Sequence, residues 1–134
     1  NLGHTFQGHS LGVAAANTVI DIINKKNLLK RVSSLGNYIQ NILHTELKNN
    51  HFFSNVRGRG FAVALEHKVN KSTLFANDLK KIMLNEHKIL INSKFHRSSF
   101  LPPFIIQKKF IDQTLEKFIK TFFKLSNNNF KKYK

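Results

Sequence analysis

Leu28, Val32, Leu35, Ile39 and Ile42 follow one another at intervals of four, three, four and three residues. That interval keeps apolar side chains on a single face of a helix. The spacing predicts a long amphipathic helix from Asn27, which can cap it, to about Asn49. Such a stripe must be laid against other elements, so the chain needs a core. Two further segments carry the same signal. Leu74, Phe75, Leu79, Ile82 and Met83 predict a helix opening at Ser72 or Thr73 and breaking near Asn85-Glu86-His87. Ile111, Leu115, Phe118, Ile119, Phe122 and Phe123 predict a last one, with a poorly made start because Lys108 and Lys109 oppose the helix dipole. Gly36 is a mild internal weakness of the first helix.

Strand signals fill the gaps between these helices. Phe52–Val56 leads through Arg57-Gly58-Arg59-Gly60 into Phe61–Glu66, a mostly buried strand. Glycines at 58 and 60 suggest a bend or a close backbone approach. Ile89-Leu90-Ile91 reads as a short strand and Ser98–Leu101 as another, stopped by Pro102-Pro103, which cannot donate to a ladder. The order of two helices, two strands, a helix, two strands and a helix implies an α+β fold: a small, mostly antiparallel sheet of three to four strands with helices packed on one face.

The N-terminal segment carries the chemistry. Gly3-His4-Thr5-Phe6-Gln7-Gly8-His9 is a polar, glycine-flanked loop running into Leu11-Gly12-Val13-Ala14-Ala15-Ala16. A helix start presents unpaired N–H groups and positive potential, and glycine lets backbone approach an anion, so phosphate chemistry belongs here. Ser10 can cap the helix. Its Ala14–Ala16, Val19, Ile20, Ile22 and Ile23 make it apolar around most of its girth, hence expected to be buried. Lys25 and Lys26 close it. His4 and His9 have no carboxylate at ligand spacing, which argues against a metal site.

Composition removes several classes. The sequence of 134 residues, 41% hydrophobic, suits one compact domain or a piece of something larger. It has no cysteine, hence no disulfide or thiolate chemistry. No apolar run approaches bilayer length and no targeting leader is visible, so the expected compartment is the cytoplasm, without membrane association. The net charge of +15 raises a nucleic-acid hypothesis. Yet the lysines are scattered along every segment, and only residues 127–134 form a basic cluster, read as a disordered tail. A nucleic-acid-binding domain would interleave aromatics with lysines on an exposed sheet face, whereas most Phe here sit at helix core positions.

These motifs together resemble the C-terminal portion of class III pyridoxal-phosphate-dependent aminotransferases of fold type I. The loop Gly3–His9 and the Ala-rich run match the family's phosphate segment, with Ser10 replacing a proline. Asn27-Leu28-Leu29, Val56-Arg57-Gly58-Arg59-Gly60-Phe61 with Leu65-Glu66, and Phe100-Leu101-Pro102-Pro103-Phe104-Ile105-Ile106 match three later motifs in order. The resemblance implies a transaminase moving an amino group between an amine or ω-amino acid and a 2-oxo acid, with pyridoxal 5′-phosphate as cofactor. An amino-aldehyde aminomutase is the alternative within the class. It also implies that the lysine bearing the coenzyme lies upstream, so that this fragment alone is inactive. Thr5 would hydrogen-bond the coenzyme phosphate of the neighbouring subunit of a homodimer, with His4 and Phe6 adding backbone contacts. Residues 1–26 would be the phosphate loop and connecting helix, and 27–126 the small domain. Relatives place a carboxylate-binding arginine near the positions of Ser99 and Asn92. Arg97 is the nearby arginine that could serve, and Arg57 and Arg59 are expected to brace a turn.

Overall fold

The computed structural model describes residues 3, 5, 7–128 and 130–133. Helix α1 (Ser10–Lys25) leads to α2 (Leu28–Leu47), then a hairpin of β1 (Phe53–Arg59) and β2 (Ala62–His67). Helix α3 (Ser72–Asn85) precedes a second hairpin, β3 (Asn92–Lys94) and β4 (Arg97–Phe100). The chain ends with α4 (Lys108–Asn128) and a single turn, α5 (Phe130–Tyr133). The four strands make one antiparallel sheet in the order β1-β2-β4-β3.

The two periodicities meet on one face of this sheet. Val63, Leu65 and His67 of β2 alternate inward, and the α2 stripe, here Leu28, Val32, Ile39, Leu43 and Leu47, buries with them. Phe75, Leu79 and Met83 of α3 and Ile111, Leu115, Phe118 and Phe122 of α4 complete the core. Its centre is aromatic: Phe75 meets Phe122 edge-on at 5.3 Å, and Phe118 meets Phe100 of β4 at 4.8 Å. Among the described residues, no helix buries the other face of the sheet, whose β1 and β2 positions Asn55, Arg57, Arg59 and Ala62 are exposed.

Several details depart from the sequence reading. Asn27 stands at the start of α2, but its side chain makes no cap bond; it serves through a left-handed φ of 48°, which turns the chain sharply between helices. The third strand forms at Asn92–Lys94 instead of Ile89–Ile91, because the ladder needs partners and β4 offers them only at Ser99, Ser98 and Arg97. Helix α1 buries none of its residues, since its apolar girth has no covering surface among the described residues, where α2 is the element it chiefly meets. Gly36 is not a weakness. A Cβ there would fall on the Gly60 carbonyl and lie 2.8 Å from the Gly60 Cα, so its absence lets α2 press onto the β1–β2 turn, where Gly60 has a φ of +55°.

The basic end is also not a disordered tail where it is described. The Tyr133 ring is buried against Phe75 and Phe52, at 5.3 and 6.1 Å. Its hydroxyl donates to the Asp78 carboxylate (2.8 Å), which also accepts from Lys132 at 2.6 Å. One buried aromatic outweighs the solvation of the flanking lysines. At the start of α4, Lys108 bridges to Asp112 at 2.8 Å and lies 4.2 Å from the Tyr38 ring, so the unfavourable charge there is paired.

Candidate functional site

The start of α1 is assembled by His9 instead of the expected Ser10. His9 is the residue preceding the helix, with φ −66° and ψ 107°, and its Nδ1 accepts the Gly12 amide at 3.1 Å. Its longer side chain reaches the third helical amide, and Ser10 becomes the first residue of the helix. Before it, Gly8 takes a φ of +75° with open space where a Cβ would be. Thr5 stands in an exposed turn. His4 and Phe6 lie outside the described residues. The first turn of α1 holds no acidic side chain; Asp21, near the far end, is paired with Lys25 at 3.6 Å. A hydroxyl, an open glycine turn and a helix N-terminus with no acidic side chain in its first turn suit a phosphate.

The uncovered face of the sheet holds the second set. Asn92 and Ser99 are cross-strand partners, and Lys94 and Arg97 are the next pair on the same face of that ladder. The structure therefore brings Asn92 and Arg97 onto one face of adjacent strands, with Ser99 beside them. On β2, Glu66 lies opposite Arg97. Its carboxylate is held by Arg57 Nε at 2.6 Å instead, which leaves the Arg97 guanidinium without a side-chain partner among the described residues. Arg57 thus braces the first hairpin, as its place in the sequence suggests. The strand positions on this face are Asn55, Arg57, Arg59, Ala62, Ala64, Glu66, Asn92, Lys94, Arg97 and Ser99, with no aromatic among them. That arrangement does not favour nucleic acid, which needs stacking rings on the sheet.

Three groups that position these elements were invisible to local spacing. Arg31 on α2 donates to the Phe104 carbonyl at 2.7 Å and to the Ile106 carbonyl, clasping the segment that follows Pro102-Pro103. Tyr38 donates to Asp112 at 2.9 Å, tying α2 to α4. Beneath the sheet, His67 Nε2 lies 3.0 Å from Ser98 Oγ, which in turn lies 2.8 Å from Ser93 Oγ, so a buried polar chain joins β2 to both strands of the second hairpin. Burial, aided by the nearby His96, lowers the His67 pKa to about 4 and keeps the ring neutral. Each contact spans more than thirty residues or crosses strands whose register the sequence does not state, so no motif could announce it.

Comparison with known proteins places this geometry. The family model described as "Aminotransferase class-III" matches residues 1–122. The chain is 32% identical to the ornithine aminotransferase of Staphylococcus carnosus over 126 residues, covering 90% of this chain and 28% of that protein. The acetylornithine aminotransferase of Elizabethkingia anophelis has the same fold, with a TM-score of 0.82 at 22% identity over 92% of this chain and 31% of that one. The ornithine aminotransferase of Toxoplasma gondii, whose crystal structure carries partially occupied PLP at its active site, gives a TM-score of 0.70 at 24% identity, covering 81% of this chain and 25% of that one. The chain thus spans under a third of the length of each.

Proposed function

This chain belongs to the class III aminotransferase family, and from that membership we propose that it serves a pyridoxal-phosphate-dependent transaminase. The activity is transfer of an amino group between an amine or ω-amino acid and a 2-oxo acid, in a homodimer of cytoplasmic location. The observation that carries the reading is the family match running unbroken from the α1 loop through the sheet into α4. No helix among the described residues is long and apolar enough to cross a membrane, which is compatible with that location.

When bound, pyridoxal phosphate supplies an electron sink for bonds broken at the substrate carbon. The residues of this chain hold and orient. The Thr5 hydroxyl and the first amides of α1 would take the phosphate, with Gly8 keeping the approach open and no first-turn carboxylate repelling it. Backbone of His4 and Phe6 would complete the cradle. Arg97, left free by the Arg57–Glu66 pair, would grip a substrate carboxylate, with Asn92 hydrogen-bonding beside it. The exposed apolar surface of α1 supports the view that residues 1–26 join this domain to the rest of the enzyme, where that surface would be covered.

Thr5→Ala in the full-length enzyme tests the phosphate role. Loss of a hydrogen bond to a charged group costs about 1.5–3 kcal/mol, so coenzyme retention should weaken by about one to two orders of magnitude. If Thr5 serves the other subunit's site, a mixed dimer of a Thr5→Ala chain and a chain lacking the coenzyme lysine carries both lesions at one site. Such a hybrid should keep about half the wild-type activity. Absence of that recovery at limiting coenzyme refutes the cross-subunit role.

A further inference from the structure

The family model stops at residue 122, inside α4, so α5 lies beyond the stretch that the family match accounts for. Residue 129 alone joins α5 to α4, and the turn adds nothing to the sheet. Lys132 and Tyr133 nevertheless fasten it to the body of the domain. The fully buried Tyr133 ring stands edge-on to Phe75 at 5.3 Å and to Phe52 at 6.1 Å. Its hydroxyl donates to Asp78 Oδ2 at 2.8 Å, and Lys132 Nζ donates to the same oxygen at 2.6 Å. Its carbonyl accepts the Lys71 amide at 3.1 Å, one residue ahead of α3. The walls around the ring have other support. Phe75 also meets Phe122 at 5.3 Å and His67 at 5.1 Å, Phe52 meets Phe75 at 5.3 Å, and the Phe52 amide donates to Asn50 Oδ1 at 2.9 Å.

We propose that Phe52, Phe75, Asp78 and the Lys71 amide form a docking socket for a Lys-Tyr pair, with α5 as its tethered, displaceable occupant. The aromatic edges select a ring. The carboxylate prefers a phenol to a plain phenyl group and favours a cation on the residue before it. The bond from the Lys71 amide fixes where the backbone of the bound pair lies. Displacement is local, because the phenylalanines keep their other ring partners when Tyr133 leaves. Tethering through a short connection holds the occupant at an effective concentration of about millimolar order, so a pair that binds weakly when free stays seated when joined. A partner segment with a basic residue followed by tyrosine fits the same socket. None of these residues belongs to the coenzyme or substrate contacts, so the socket does not depend on the aminotransferase reading.

Amide hydrogen exchange on the ¹⁵N-labelled 134-residue chain tests displacement without any substitution. The Lys71 amide, whose acceptor is Tyr133, should exchange about tenfold or more faster than the Leu79 amide inside α3, and with less dependence on dilute urea. Equal rates with equal urea dependence would show that α5 leaves only when the whole domain unfolds, which overturns the proposal. A chain ending after Asn128 then tests recognition. It should keep a cooperative thermal transition and lose protection at Lys71 while Leu79 stays protected. Added in trans, the peptide Asn-Phe-Lys-Lys-Tyr-Lys of residues 129–134 should give saturable shifts at Lys71, Phe75 and Asp78 and restore the Lys71 protection. Tyr133→Phe in the peptide should weaken binding about tenfold or more, since a hydrogen bond to a charged acceptor is lost. Lys132→Ala should weaken it only about two- to fivefold, as befits a half-exposed ion pair. Tyr133→Ala should abolish it. An unfolded shortened chain, a peptide that does not saturate, or a Tyr133→Ala peptide that binds as well as the parent would each overturn the socket.

Discussion

Gly36→Ala separates helix propensity from tertiary packing, because the two predict opposite signs. Alanine is about 1 kcal/mol better than glycine in a helix interior; on that ground alone the variant should be more stable. In the fold, the new methyl would land on the Gly60 carbonyl, with the Gly60 Cα at 2.8 Å. Those are backbone atoms at the apex of a hairpin, and they cannot rotate away as a long side chain could. Gly60 is itself pinned, since its own left-handed φ of +55° fixes the turn and Val32 Cγ1 lies 2.8 Å from where its Cβ would stand. Either α2 or the β1–β2 turn must retreat, and the buried contacts of Val32 and Phe61 loosen with it. Overpacking of this kind costs roughly 1–3 kcal/mol, sometimes more. With backbone on one side of the clash the upper figure applies, so after the propensity gain the net loss is about 2 kcal/mol. For a chain of this size that corresponds to a fall in Tm of roughly 6 °C. Urea unfolding followed by far-ultraviolet circular dichroism measures it directly. Gly12→Ala is the internal control: its Cβ would meet the His9 side chain at ordinary distances, Nδ1 nearest at 3.5 Å, so that helix should gain helicity. A Gly36→Ala chain as stable as the parent, or more so, would refute the close-approach argument and restore the propensity reading.

Two further outcomes follow from the core. His67 ionises near pH 6.5 in an unfolded chain and at about 4 in the fold, so the unfolded state binds more protons between those values. Its contribution is fully present above about pH 6.5 and falls away as pH drops toward 4, by roughly 3 kcal/mol; urea midpoints measured across that window should lose this slope in His67→Gln. Tyr133→Ala should cost about 3 kcal/mol as a buried aromatic is removed. It should also raise the Asp78 pKa, which hydrogen bonds from Lys132 and Tyr133 hold down against the opposing effect of burial; carboxylate titration by NMR reads that shift.

What the sequence could disclose was whatever repeats within a turn or two of chain. The α2 stripe, the apolar run Phe61–Glu66 and the stop at Pro102-Pro103 are local patterns, and each marks its element, though the run alternates buried and more open positions where a mostly buried strand was expected. The strand at Asn92–Lys94 was misplaced by three residues because Ile89-Leu90-Ile91 is the more apolar run, while pairing is decided by the partner strand. Ile89 and Ile91 are drawn toward the core without entering a ladder, and hydrophobicity alone does not distinguish these outcomes. Helix α1 shows the converse. Its apolar girth implied burial, yet none of its residues is buried and no surface among the described residues covers it, because composition states an apolar need without stating where a covering surface lies. The candidate site divides along the same line. Thr5, Gly8 and His9 lie within five residues of one another, so a motif could reveal them. Arg97, by contrast, becomes available only because Arg57, forty residues earlier, occupies Glu66 across the sheet. That availability is a property of strand register. A residue-by-residue reading could name the arginine, but only the ladder shows that its neighbour is already taken.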